Sequence, residues 1–203
     1  RFDSPLQVRQ HGYLQTGVAA LDSALGGGLA QGEITEFVGR GSNGRTALAI
    51  LLAARVSNGL SDPRKENAAR SVAWIDADDA LDVTRLKQAG VDMQHLLWVR
   101  GSGPRALRQS LKAVDILMDA RSFPLMILDF VEPGFKKMAQ RSSWWMRLTR
   151  KIQHMEASLL VLTQEPSVFQ PACRVLFQPG DLFHEPVSFS VMRRGCGEVR
   201  ALS

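Results

Sequence analysis

The chain has 203 residues, enough for one α/β domain and too few for two ordinary ones. Hydrophobic residues make up 45% and charged residues 22%, a balance that excludes disorder for the chain as a whole. No apolar run reaches the roughly 18–20 residues of a membrane span. Lys and Arg total 25 against 20 Asp and Glu, a net charge of +5, which fits either a nucleic-acid partner or a generally basic surface. The two cysteines, Cys173 and Cys196, form no CxxC, and His11, His95, His154 and His184 are scattered. A disulfide scaffold is therefore excluded, and neither a zinc site nor a His-based catalytic site is expected. No secretory signal opens the chain, so cytoplasm is the expected compartment.

In chain order, residues 1–16 read as an N-terminal arm and 17–203 as a single core domain. The apolar-spaced segment Gly17–Leu25 stops at Gly26-Gly27-Gly28. Glu33–Val38 reads as a strand that runs straight into Gly39-Arg40-Gly41-Ser42-Asn43-Gly44-Arg45-Thr46, and Ala47–Val56 as the helix that follows. Asn58–Arg70, with its Gly, Pro and charges, is a surface loop. The apolar strand Ser71–Ile75 ends in the acidic cluster Asp76-Ala77-Asp78-Asp79. A short helix at Asp82–Ala89 and a short strand at Leu96–Val99 come next. Pro104 suits the first position of a helix carrying Leu107, Leu111, Val114 and Leu117. Leu125–Leu128 is a strand ending at Asp129, and Leu159–Leu162 another ending at Thr163-Gln164. Between them, Ser142–Met155 is an amphipathic helix with Trp145, Leu148, Ile152 and Met155 on one face. Val187–Met192 and Glu198–Leu202 flank a turn as a C-terminal β-hairpin. Apolar strands alternating with helices imply an α/β fold, a mostly parallel β-sheet flanked by helices. Such sheets bind ligands at the carboxyl ends of their strands.

Gly39–Thr46 fits a phosphate loop of the form GxxxxG[R]T. Its glycines let backbone N–H groups converge on phosphate oxygens, and the next helix adds its positive end. The usual pattern has Lys before the Ser or Thr; here Arg45 takes that place. Arg stays charged but its planar fork is bulkier than an ammonium, which weakens the case for efficient phosphoryl transfer. Thr46 carries the hydroxyl suited to magnesium, and Asp129 has the placement of a second magnesium-holding group, or of a simple strand-end cap. One carboxylate of Asp76–Asp79 could orient an attacking water, or the cluster could be a solvated acidic turn.

These residues carry a family resemblance. LQTGVAALDSALGGGLAQGEITEFVGRGSNGRTALA resembles the lead-in segment and Walker A loop of bacterial RecA. SVAWIDADDALDVTRLKQAGVDMQHLLWV resembles the stretch that follows, LMILDF the Walker B strand, and LLVLTQE the strand ending in a nucleotide-sensing Gln. The resemblance runs from about Leu14 to Glu165 and implies a RecA-like P-loop NTPase core. It implies an ATP site built from Gly39, Ser42, Asn43, Gly44, Arg45, Thr46, Ala47, Asp82, Arg85 and Gln164, with magnesium at Thr46 and Asp129. Asp78 stands where RecA has its catalytic Glu, one methylene shorter, and Arg85 where RecA stacks adenine on an aromatic ring. Arg45 and Asp78 both fall on the chemistry, while the glycines that make the fold remain.

Two segments resemble the positions of RecA's DNA-binding loops. Val131–Ser142 holds Phe135, Lys136, Lys137 and Arg141; Pro166–Gly180 holds Arg174 with Phe169 and Phe177. Cations beside aromatics suit single-stranded nucleic acid. Of the adjacent Trp144 and Trp145, one is expected in the core, and an exposed Trp rimmed by Arg141, Arg147 and Arg150 would anchor a protein partner. A short RecA-like core with altered catalytic residues resembles the ImuA family, RecA-like accessory proteins of bacterial translesion synthesis. That resemblance implies an adaptor of the DNA damage response with weak or no ATP hydrolysis. It also implies RecA and translesion polymerase-like proteins as partners, along with single-stranded DNA and a homo-oligomer. The alternative is an ATP-dependent RecA- or RadA-like recombinase or regulatory ATPase.

Overall fold

The computed structural model describes residues 12–41, 43–62, 69–101, 105–130, 142–178, 188–194 and 198–202. Strands β3 (Ile34–Val38), β4 (Val72–Asp76), β6 (Leu125–Asp129) and β7 (Ser158–Thr163) are buried at every position. Strands apolar on both faces must be covered on both faces, and alternate side chains do divide between two cores. Phe37, Trp74, Ile127, Leu160 and Leu162 face the first; Ile34, Ile75, Leu128, Leu159 and Val161 face the second.

Helices α1 (Ala19–Leu25), α2 (Arg45–Ser57) and α3 (Val83–Gln88) cover the first core through Leu21, Leu52, Val56 and Leu86. Helices α4 (Ala106–Ala120) and α5 (Ser142–Ile152) cover the second. α5 buries Trp145, Leu148 and Ile152 completely, the i, i+3, i+7 spacing of one helix face. Its opposite side is basic: Arg147 and Lys151 reach Asp115 on α4, and Lys151 also meets Asp119 at 2.8 Å.

The remaining strands are β1 (Tyr13–Leu14), β2 (Leu29–Ala30), β5 (Leu96–Arg100), β8 (Cys173–Phe177), β9 (Ser188–Arg193) and β10 (Glu198–Leu202). β1 and β2 form a separate two-stranded sheet. The main sheet has eight strands in the order β10-β9-β8-β3-β7-β6-β4-β5. The six from β8 to β5 are parallel, and the β9–β10 hairpin closes one end antiparallel. The α/β reading of the sequence thus holds, including the hairpin.

The helix expected from Ala47 starts at Arg45, so the loop's Arg and Thr belong to its first turn. The segment Pro166–Gly180, read as a loop, contains β8, which pairs with β3 in the middle of the sheet. Of the expected arm, residues 1–11 lie outside the described residues, and Tyr13–Leu14 pairs with β2. Ser42, Pro104 and the segment 131–141, with Phe135, Lys136, Lys137 and Arg141, also lie outside them.

Candidate nucleotide site

Because six strands run parallel, Val38, Asp76, Arg100, Asp129, Thr163 and Phe177 all end on one edge of the sheet. The loop leaving β3 is held to β7 from its first residue, where the Gly39 N–H donates to the Thr163 carbonyl at 3.0 Å. A Cβ at Gly39 would fall 1.8 Å from Asn43 Nδ2, so a larger residue here would force the Asn43 side chain to move. Gly44 sits at φ 83°, the left-handed conformation that turns the chain into α2. The Asn43 carbonyl oxygen Oδ1 accepts from the Arg45 N–H at 3.2 Å, while its Nδ2, buried, has no hydrogen-bond partner. Thr46, half-buried, and Ala47, exposed, complete the first turn of α2. The first N–H groups of a helix lack intrahelical acceptors, so this turn can take an anion.

Arg45 does not extend outward. Its side chain is only 7% exposed, and Nη1 donates to the carbonyls of Gly39 at 2.7 Å and Thr163 at 2.5 Å. Its Nε is buried without a partner. Burial lowers its pKa from the ordinary value, and the carboxylate of Asp129 opposes that shift; a guanidinium stays protonated in either case. Asp129 is the other half of this arrangement. Burial pushes its carboxyl up to about 7, Arg45 partly offsets the rise, and Asp76 and Asp78 add to it. Asp129 Oδ1 is buried and unpartnered.

The acidic cluster separates into distinct jobs. Asp76 accepts from the N–H groups of Ala80 and Leu81 at 3.0 and 2.9 Å and shapes the turn that carries Asp78. Asp78 is half-buried in that turn. Asp79 adopts φ 55°, and Arg100 holds it there through Nε–Oδ1 and Nη2–Oδ2 bonds of 2.6 and 2.8 Å. Those bonds keep the Asp79 carboxyl below its ordinary range. Arg100 in turn lies over the Trp98 ring, 4.8 Å from its centroid. Asp82 caps α3 by accepting from the Thr84 N–H at 2.8 Å, with the exposed Arg85 3.7 Å away.

Sequence reading missed Glu36. Completely buried on β3, it accepts at Oε1 from Thr163 Oγ1 (3.0 Å), the Ser167 N–H (2.7 Å) and the Val168 N–H (3.0 Å). Its Oε2 accepts from Arg174 Nε at 2.6 Å. Glu36 thereby fixes the turn that carries the half-buried Gln164, and Arg40 of the phosphate loop pairs with Glu165 in the same turn. The signal was a single acid inside the apolar strand ITEFV, which burial permits only with partners.

Of the residues expected to meet nucleic acid or a partner, those described are mostly engaged within the fold. Arg174 is committed to Glu36 and to the Val168 carbonyl at 2.8 Å. Phe177 is buried edge-to-face on Phe37, whereas Phe169 is exposed. Trp145 is core; Trp144 is half-buried edge-to-face against it at 4.5 Å, and Arg147 is paired with Asp115. Among the described residues no group of three or more His, Cys, Asp or Glu could hold a metal ion by itself, and no helix is long and apolar enough to cross a membrane.

The family profile of the RecA N-terminal domain matches residues 6–137, which takes in the phosphate loop, the acidic turn and β6. Protein RecA of Streptomyces venezuelae is 34% identical over 132 residues, 64% of this chain and 30% of that protein. Protein RecA of Nostoc sp. is 34% identical over 118 residues (58% and 30%), and that of Thermus aquaticus 34% over 119 residues (58% and 32%). The matched stretch thus spans about a third of the length of these relatives. With the parallel sheet, the glycine loop and the strand-end acids in that order, the chain belongs to the RecA N-terminal domain family.

Proposed function

We propose that the chain is a RecA-fold accessory protein of the bacterial DNA damage response, an ImuA-like adaptor of translesion synthesis that hydrolyses ATP weakly or not at all. The observation that carries this reading is Arg45, turned inward onto the Gly39 and Thr163 carbonyls. Phosphoryl transfer depends on a cation that follows the developing charge on the transferred group. A guanidinium tied to two carbonyls, in the place of the usual lysine, is fixed and cannot follow that charge. Asp78, in the place of a longer catalytic acid, works in the same direction: a misplacement of about 1 Å can cost roughly 100-fold in rate. ATP is the nucleotide proposed for the loop. RecA, a translesion polymerase-like protein and single-stranded DNA are the proposed partners, and self-association is a further part of the reading.

Phosphate release from ATP, with magnesium and single-stranded DNA, tests the proposal. The expected result is no DNA-stimulated turnover above background. Robust stimulated turnover that disappears in Thr46→Ala would instead establish the second reading, an ATP-dependent recombinase or regulatory ATPase. The retained Thr46 and Asp129 favour that second reading.

A further inference from the structure

We propose that the loop takes up the phosphates of a nucleoside di- or triphosphate without a divalent cation, the fixed guanidinium of Arg45 supplying the charge. The inference rests on reading Gly39–Thr46 as a nucleotide site and adds how that site is neutralised.

Thr46 and Asp129 provide the two oxygens that a magnesium ion bound with phosphates ordinarily uses. Arg45, anchored on two carbonyls, already sets a fixed positive charge in the field of Asp129. A divalent ion there would meet a like charge that cannot swing away without breaking both bonds. Magnesium also demands octahedral room and retains several waters, whereas Arg45, Asn43 and Asp129 are all buried. The donor set therefore fits a phosphate better than it fits the metal.

A second observation points to an anion. Two buried donors of the loop, Asn43 Nδ2 and Arg45 Nε, have no hydrogen-bond partner. Buried donors are rarely left unpaired, and two such orphans side by side in a glycine loop suit an incoming acceptor. Both belong to residues at the start of α2, a thirteen-residue helix whose first N–H groups lack intrahelical partners. Phosphate oxygens would satisfy these donors together with the helix end, and a guanidinium matches phosphate geometry as a fork. The ligand class is thus a polyphosphate chain carried by a nucleoside, bound as the bare anion.

The test is calorimetric titration of the full chain with ATP, ADP and inorganic pyrophosphate, each in EDTA and in magnesium chloride. ATP and ADP are expected to bind within about threefold equally in the two conditions, and more tightly than pyrophosphate. A loss of about tenfold or more in EDTA, equivalent to about 1.4 kcal/mol, overturns the proposal, as does the absence of binding in both conditions. Arg45→Lys is expected to become magnesium-dependent, losing about tenfold or more in EDTA; an Arg45→Lys protein indifferent to EDTA overturns the assignment to Arg45. Should that variant fail to fold, Asn43→Ala decides: it is expected to lose about tenfold in EDTA, the scale of one hydrogen bond to a charged group, and unchanged affinity overturns the proposal. Phosphate release measured in the same samples separates the two ideas. Turnover would sink the adaptor reading and leave metal-free binding standing, whereas magnesium-dependent binding without turnover would do the reverse.

Discussion

Two arginines act on buried carboxylates of the sheet, one by a direct bond and one through its field, and they are finished differently. Glu36, with Arg174, receives four donors and has no oxygen left over. Asp129, which lies in the field of Arg45 without a hydrogen bond to it, keeps an unpartnered oxygen, and Arg45 keeps an unpartnered Nε. Each pair contains a carboxylate that is almost wholly buried, so charge and depth do not distinguish them. Unused hydrogen-bonding capacity does. The Glu36 pair is architecture: it ties β3, the turn after β7 and β8 into one unit. The Asp129 pair retains capacity that only another molecule would use.

The largest expected effect strikes the finished pair. Glu36→Ala leaves Arg174, Thr163 and two backbone N–H groups without their acceptor and should cost about 3–5 kcal/mol, read as a lower urea midpoint. A loss below about 1 kcal/mol would erase the contrast with Asp129, since that is the scale of an exposed pair.

The unfinished pair should show itself through pH. Asp129 is held at about 7 in the fold, against about 4 for an unfolded carboxyl. Its folded pKa is raised, so between those values the folded chain keeps a proton that the unfolded chain has lost. Stability then falls as pH rises from about 4 to 7 and stays low above, by roughly 2–4 kcal/mol from this group. Asp129→Asn should flatten that fall and exceed the parent in stability at pH 8. Urea midpoints of both proteins at pH 5 and pH 8 check this, and parallel behaviour of the two would count against it.

The smallest effect belongs to a third pair, Arg100 with Asp79, which lies in solvent. Arg100→Ala should leave global stability nearly unchanged while it frees the turn of Ala77–Leu81. Faster amide hydrogen exchange at Ala80 and Leu81 is the readout. A large drop in melting temperature would mean that this pair belongs with Glu36 after all.

What the sequence disclosed was mostly local. Runs such as LMIL before Asp129, and the glycines before Arg45, announce strands and loop because neighbours along the chain determine them. β8 was hidden because Arg174 and Phe177 suit an aromatic-basic loop as well as they suit a strand with alternate burial. Glu36 was visible as an odd acid, but its partner is 138 residues away. The identity of Arg45 was legible and its direction was not, because the carbonyl that turns it inward belongs to Thr163, 118 residues distant. Side-chain direction at this site is a tertiary property.

The placement of β3 has a consequence for how the protein is made. This strand carries the phosphate loop, yet both its neighbours come from far downstream: Ile34 aligns with Leu159, and Thr35 with Cys173. A nascent chain on the ribosome can finish α2 early, but β3 has no strand to pair with until β7 and β8 emerge. Contacts so distant in sequence slow closure. Until β7 and β8 have been made, then, the loop's own strand is an unpaired edge of the growing chain.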